Sequence, residues 1–222
     1  MAPNPMLEEA CSLKLFCVLI LLAIWGSNVP AMAASASAAR NAVPGMICKG
    51  TPDPALCARI LSGTPANAPL NSQIAIITTY ALRVSKAAYG AIGKDAESMR
   101  KWKKYRVRSE TDSSSDGRLA EGAILDCLDL MGNSMDQMRA TIGKVSKIGM
   151  TAAHTAARAQ LMDARVSLSA SLTFQSTCQD ELSQHPGAAP GAKLVLRDGQ
   201  LITGSLGIAL SLADTLQGKL RP

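Results

Sequence analysis

Six cysteines, two histidines, a spaced group of aspartates and one dense run of cations are the residues of this chain with chemistry to offer. His154 and His185 each stand alone, so they read as surface residues rather than as a metal site or a catalytic triad. Asp126, Asp129 and Asp136, with Asn133 among them, recur at helical spacing. Carboxylates can do acid–base work where a pocket holds them. No pocket-forming partner accompanies these, and a solvated or partner-facing helix face is the better reading. The chain has no glycine-rich phosphate loop, nucleophile elbow, zinc-ligand spacing or N-x-S/T sequon. Its residues point to neither an enzyme nor a bound cofactor.

The cations are densest in RKWKKYRVR, Arg100 to Arg108, where six positive charges interleave with Trp102, Tyr105 and Val107. Such a run can hold a polyanion: an acidic wall polysaccharide such as de-esterified pectin, an anionic membrane or a nucleic acid. It reads better as a solvated helix end whose cations face the C-terminal dipole, followed by a loop. The acidic, serine-rich SETDSSSDG next to it compensates the field.

The leader and the cysteines set the compartment. Leu15 to Trp25 is an apolar run of eleven. That is too short to span a bilayer as a helix, which takes about 20 residues. A helix-breaking patch and the A-x-A pattern of Ala31-Met32-Ala33 follow, so residues 1–33 read as a secretory signal peptide. Its removal takes away Glu8, Glu9 and Lys14, two acids and one base, and moves the net charge from +6 to +7. Cys11 and Cys17 leave with it, while Cys48, Cys57, Cys127 and Cys178 remain. An even number of cysteines in a secreted chain reads as disulfides, and the sequence alone does not choose among their pairings. Secretion also makes nucleic acid the least fitting partner.

The elements that must position these residues are helices. Aromatic residues make up only 3% of the chain, so the core must be built from Leu, Ile, Val, Met and Ala, as packed helices are. Residues 34–45 are small, polar and turn-rich, a flexible start. Cys48 and Cys57 then flank Gly50-Thr51-Pro52-Asp53-Pro54, a tight reversal across which they can meet. Asp53 is placed as an N-cap with Pro54 at the first helical position. A local Cys48–Cys57 bridge is the economical pairing, worth about 2.7 kcal/mol by chain entropy.

Leu70, Ile74, Ile77, Ala81, Val84, Ala88 and Ala91 predict a long helix running toward Trp102, with Arg83, Lys86 and Lys94 off its stripe and solvated. Asp116 is expected to cap the next helix. Its stripe is Ala120, Ile124, Cys127, Met131, Met138 and Ile142, and Gly143 and Gly149 bracket the connection after it. A third helix begins in TAAHTAARAQ and carries Leu161, Ala164, Leu168, Ser171, Gln175, Cys178 and Leu182 on one face. It stops at Gln184-His185-Pro186-Gly187, where proline and glycine end it. After an AAPGA linker, Leu194, Leu201, Ser205, Ile208, Leu212 and Leu216 mark a fourth helix. Cys127 and Cys178, one core-facing thiol on each of two helices, suggest a staple. The expected fold is all-α: an antiparallel up-down-up-down four-helix bundle with an N-terminal helical hairpin over residues 46–217.

Three stretches add a resemblance: ICKGTPDPALCARIL with its close cysteine pair, AILDCLDLMGNSMDQM with one cysteine, and DARVSLSASLTFQSTCQDEL with the last. With them the chain resembles the plant invertase and pectin methylesterase inhibitor family over Met46 to Leu216. The resemblance implies the bundle with its hairpin, the two disulfides Cys48–Cys57 and Cys127–Cys178, and a protein that is not an enzyme. Members bind one enzyme molecule and cover its active-site cleft. Invertase inhibitors of the family carry a Pro-Lys-Phe triplet early in the third helix that fills the sugar pocket. The matching positions here hold Leu161-Met162-Asp163.

That difference, with the SLSASLTFQSTC wording, makes pectin methylesterase the expected target, in a 1:1 complex in the apoplast or cell wall. Cell-wall or vacuolar acid invertase is the alternative target. A secreted basic module holding acidic wall polysaccharide through Arg100 to Arg108 is the rival of another class. The same module precedes the catalytic domain in many pectin methylesterases, and an end at Pro222 fits a free-standing inhibitor better. Exposed polar groups Asp129, Asn133, Asp136 and Thr173 are the expected contacts. Gly204 and Gly207 depart from the family pattern, which has a larger polar or apolar residue there.

Overall fold

The computed structural model describes residues 47–65, 67–106, 115–148, 154–185 and 190–220, all within one compact unit, Arg40–Pro222. The expected signal peptide (1–33), the 34–45 segment and the end of the basic run, Val107 and Arg108, lie outside the described residues. Among the described residues five helices are delimited, in order: α1 (Pro54–Ile60), α2 (Leu70–Arg106), α3 (Ser115–Ile148), α4 (His154–Ser183) and α5 (Pro190–Lys219). No strand occurs among the described residues. At 1.5 Å of rise per residue the four long helices run about 45 to 55 Å each.

The hairpin is closed by short-range bonds. Thr51 donates through both its backbone N–H and Oγ1 to the Cys48 carbonyl, at 3.0 and 2.8 Å. Asp53 Oδ1 accepts from the Leu56 N–H at 2.8 Å, and Pro54 takes the first helical position, where its missing donor is not needed. Cys48 and Cys57 are joined across this reversal with their Cα atoms 5.6 Å apart. The hairpin then rests on α5 at the two glycines that departed from the family pattern. A Cβ at Gly204 would stand 3.1 Å from Leu56 Cδ2, and one at Gly207 would stand 3.8 Å from Pro52 Cγ. Ser211 Oγ donates to the Gly50 carbonyl at 3.1 Å beside them. Small residues on α5 therefore make room for the turn.

The long helices form an antiparallel up-down-up-down bundle in which α2 packs on α3 and α5, and α4 packs on the same two. That leaves α2 and α4 on a diagonal. The α3/α4 pair shows the register most clearly. Cys127 is bonded to Cys178 with Cα atoms 4.5 Å apart. Ser134 and Ser171 each donate to the other's carbonyl at 3.1 Å, and Thr141 Oγ1 donates to the Ala164 carbonyl at 3.5 Å. Each step is seven residues up one helix and seven down the other, close to two turns, so the same face returns each time. Small side chains at every step let the two backbones approach.

Two apolar clusters fill the interior. One gathers Ile74, Ile77, Leu161, Leu168, Ile202 and Leu206, with the hairpin's Leu56 and Leu61. The other surrounds the Cys127–Cys178 bridge with Ile92, Ile124, Met131, Leu182 and Val195. Between them on α2, α3 and α4 comes a buried polar residue: Ser85, Ser134, and Ser171 with Gln175. Gln175 reaches across the diagonal, its Nε2 donating to Ser85 Oγ at 3.4 Å.

The structure corrects three sequence expectations. Helix α3 begins at Ser115, so Asp116 sits inside its first turn rather than at the cap. It also runs through Gly143 to Ile148, because Val145 and Ile148 are buried and extend the core stripe beyond the glycine. Helix α5 begins inside the expected linker, at Pro190, and its buried line passes through Val195, Ile202 and Leu206. Leu194 and Leu201 are only partly buried on its flank.

Close approach by glycine fixes that α5 register. The Gly191 N–H donates to Asp95 Oδ2 of α2 at 2.5 Å, which satisfies one of the free donors at the start of α5. A Cβ on Gly191 would stand 2.7 Å from the Ala91 backbone carbon and oxygen. Gly191→Ala is therefore expected to destabilise the fold by about 2 kcal/mol, because backbone cannot yield as a side chain does. Gly90→Ala, where an added Cβ meets nothing within 4 Å, should not lower the melting temperature. Thermal unfolding of the two variants side by side checks this.

Candidate functional site

The helical period that buries one face of α3 and α4 exposes the opposite face. On α3, Asp126, Asp129, Asn133, Asp136, Ala140, Gly143 and Lys147 recur at three and four and are all exposed. On α4 the exposed line is Met162, Val166, Ser169, Thr173, Ser176 and Asp180. It lies half a turn from the buried line that includes Leu161, Leu168, Gln175 and Cys178.

The two lines border the same side of the bundle. Lys144 Nζ donates to Ser167 Oγ at 3.3 Å and to the Asp163 carbonyl at 3.5 Å, so it marks the side of α3 turned toward α4. Asn133 and Asp126 lie close to three and five whole turns before it, hence on that side as well. The Ser134–Ser171 level sets Thr173 beside this stretch of α3. Thr173 therefore stands at the height of Asp129, Asn133 and Asp136, and all four are exposed.

Their local bonds leave them available. Thr173 Oγ1 donates to the Ser169 carbonyl of its own helix at 3.1 Å. Asp136 pairs with Arg139 one turn on, both groups well exposed, an arrangement worth little in water. Among the described residues nothing pairs with Asp129 or Asn133. The α3 line is acidic over its first half. The α4 line carries no charge from Met162 to Ser176.

Sequence reasoning missed two members of this surface. Met162 is 53% exposed and Val166 is 69% exposed, one turn apart on α4. The Thr141–Ala164 level puts them at the height of Ala140 and Gly143, exposed small residues of α3. The signal for them was the complement of the α4 core stripe. Of the three positions matching the Pro-Lys-Phe triplet, Leu161 is fully buried, and only Met162 and Asp163 face outward.

Other chemistry is sparse. His154 is exposed at the start of α4, and His185 is partly buried after its end. Among the described residues no group of three His, Cys, Asp or Glu side chains could hold a metal ion, and no helix is long and apolar enough to cross a membrane. Arg100 and Lys101 of the basic run are exposed at the end of α2. The Arg197 guanidinium is held above its ordinary pKa by its hydrogen bond to Asp198 and by that residue's charge, away from this surface.

A family model for plant invertase/pectin methylesterase inhibitors matches residues 44–212. Two solved structures are similar. Mutant form A of a pectin methylesterase inhibitor from Arabidopsis is 16% identical, with a TM-score of 0.47, over 77% of this chain and 95% of that one. A pectin methylesterase inhibitor from Arabidopsis thaliana is 16% identical, with a TM-score of 0.43, over 83% of this chain and 98% of that one. No curated protein matches the sequence. The matched stretch takes in α1 to α4, most of α5, both disulfides and both exposed lines, and the chain therefore belongs to the plant invertase/pectin methylesterase inhibitor family, whose members are inhibitors and not enzymes.

Proposed function

We propose that the chain is a secreted inhibitor of pectin methylesterase that binds one enzyme molecule and lays its α3/α4 side across the cleft that takes pectin. Residues 1–33 are removed as a signal peptide, and the mature chain acts in the apoplast or cell wall, where disulfides persist. The observation that carries the choice of target is the start of α4. The positions that would fill a sugar pocket in an invertase inhibitor offer a buried leucine, an exposed methionine and an exposed aspartate.

A methionine, a valine and a row of hydroxyls form a long, low ridge rather than a plug. From Met162 to Asp180 it runs about 27 Å, a length suited to a groove built for a polymer. A stable contact needs about 800 Å² from each partner, which the ridge and the neighbouring α3 line together can supply. Asp129, Asn133, Asp136 and Thr173 provide its polar contacts. The carboxylates of α3 present charge in a row, as de-esterified pectin itself does.

The mature chain is titrated into pectin methylesterase and into acid invertase. De-esterification is expected to fall linearly and reach a floor at one equivalent, while sucrose hydrolysis is unchanged. Inhibition of invertase alone, or of neither enzyme, would overturn the proposal.

A further inference from the structure

The function proposed above leaves unused the side of the bundle diagonal to α4. There α2 runs unbroken to Arg106, and its outward line is basic. Arg83, Lys94 and Lys101 are exposed and separated by eleven and seven residues, close to three and two whole turns. They therefore stand in single file, about 17 and about 10 Å apart along the axis. Lys86 and Arg100 are exposed beside this line.

Between Arg83 and Lys94 the line holds only Ala87 and Gly90, both exposed, and a Cβ at Gly90 would meet nothing within 4 Å. The strip between the cations is low and open. Among the described residues none of these cations has an ion-pair partner. Glu97 is the one exposed acid on the strip, while Asp95 is turned away to the Gly191 N–H.

We infer that the outward strip of α2 is a second binding site, for a linear polycarboxylate lying along the helix axis: an acidic wall polysaccharide of the de-esterified galacturonan type. Unpaired cations in single file match a polymer with one carboxylate after another. A helix that lies on a membrane needs an apolar face to bury, and alanine and glycine on this line provide none. The choice of ligand rests on the proposed target, since removing methyl esters from pectin leaves carboxylates along the polymer. The basic run sharpens the inference, because Arg100 and Lys101 open that run and close this strip on one continuous helix.

Geometry makes the two sites compatible. Gln175 of α4 meets Ser85 of α2 across the bundle centre, so the outward faces of these helices point in opposite directions. The strip can hold the polymer while the α4 side holds the enzyme working on it. The inhibitor is then concentrated where carboxylates have already formed.

The test is retention of the mature chain on immobilised polygalacturonate across a salt gradient, with fully methyl-esterified pectin alongside. The wild-type chain should be held on polygalacturonate and released by salt, and should pass through the neutral polymer. Combining Arg83→Gln, Lys94→Gln and Lys101→Gln should weaken retention roughly tenfold. A control with Arg158→Gln, Lys193→Gln and Lys219→Gln, three exposed cations elsewhere, should be retained like wild type. Equal retention of the α2 variant, equal loss in the control, or binding to phosphatidylserine vesicles but not to polygalacturonate would each overturn the inference. Inhibition of pectin methylesterase on dissolved pectin should be the same for wild type and the α2 variant. Retention without inhibition would support this site and count against the enzyme target alone.

Discussion

Replacing both Cys127 and Cys178 with alanine is expected to lower the unfolding free energy by about 4 kcal/mol. The bridge closes a loop of sequence separation 51, and the freed chain gains the corresponding entropy when unfolded. Both cysteines are fully buried in the cluster farther from the hairpin, where the bridge alone joins α3 to α4 covalently. Small domains have about 5–15 kcal/mol in total, so the loss takes a large share. For a domain of this size each kcal/mol moves Tm by about 2–4 °C, and a fall of about 8–16 °C follows.

Alanine isolates the bridge, whereas serine would add a buried hydroxyl costing about 1–3 kcal/mol if unpaired. The Cys48–Cys57 bridge closes a far shorter loop, with a separation of 9, and replacing both its cysteines with alanine should cost about 2.7 kcal/mol. Denaturant unfolding without reductant measures both. Equal midpoints for wild type and the Cys127/Cys178 variant would show that this bridge does not hold the bundle.

The helical phase of α4 was legible residue by residue because its buried line has an unbroken period and no glycine. Leu161, Ala164, Leu168, Ser171, Gln175, Cys178 and Leu182 are all buried as that period requires. Misreadings arose where glycine entered. Gly143 looked like a stop, yet it lies exposed on α3, and the core stripe carries on through Val145 to Ile148.

In α5 the larger leucines Leu194 and Leu201 drew the predicted face away from Val195 and Ile202. The true face is set partly by Gly191 and Gly199, which pack against Ala91 and Gln179 and leave no side chain to mark it. The exposed acids of α3 could be read as the complement of the Cys127 stripe. Met162 and Val166 could not, since apolar residues signal core until the helical phase turns them outward. Likewise Arg83, Lys86 and Lys94 were legibly off the α2 stripe. Their alignment with Arg100 and Lys101 depends on α2 being one helix to Arg106.

The second large effect concerns binding rather than folding. Met162→Glu combined with Val166→Glu should leave the melting temperature unchanged, because both side chains already stand mostly in water. In the proposed complex these side chains would be the apolar anchors of the ridge. Each loses about 1.5–3 kcal/mol of burial when replaced, and a carboxylate forced into a dry contact costs more. Central apolar anchors dominate interface energy, so inhibition should weaken about 100-fold or more.

The decisive measurement is a titration of pectin methylesterase with the wild-type chain and with this double variant, each first checked by thermal unfolding. The α3/α4 account predicts equal melting, full inhibition by wild type at one equivalent, and little inhibition by the variant until it is in about 100-fold excess. Equal inhibition by the two chains would contradict it.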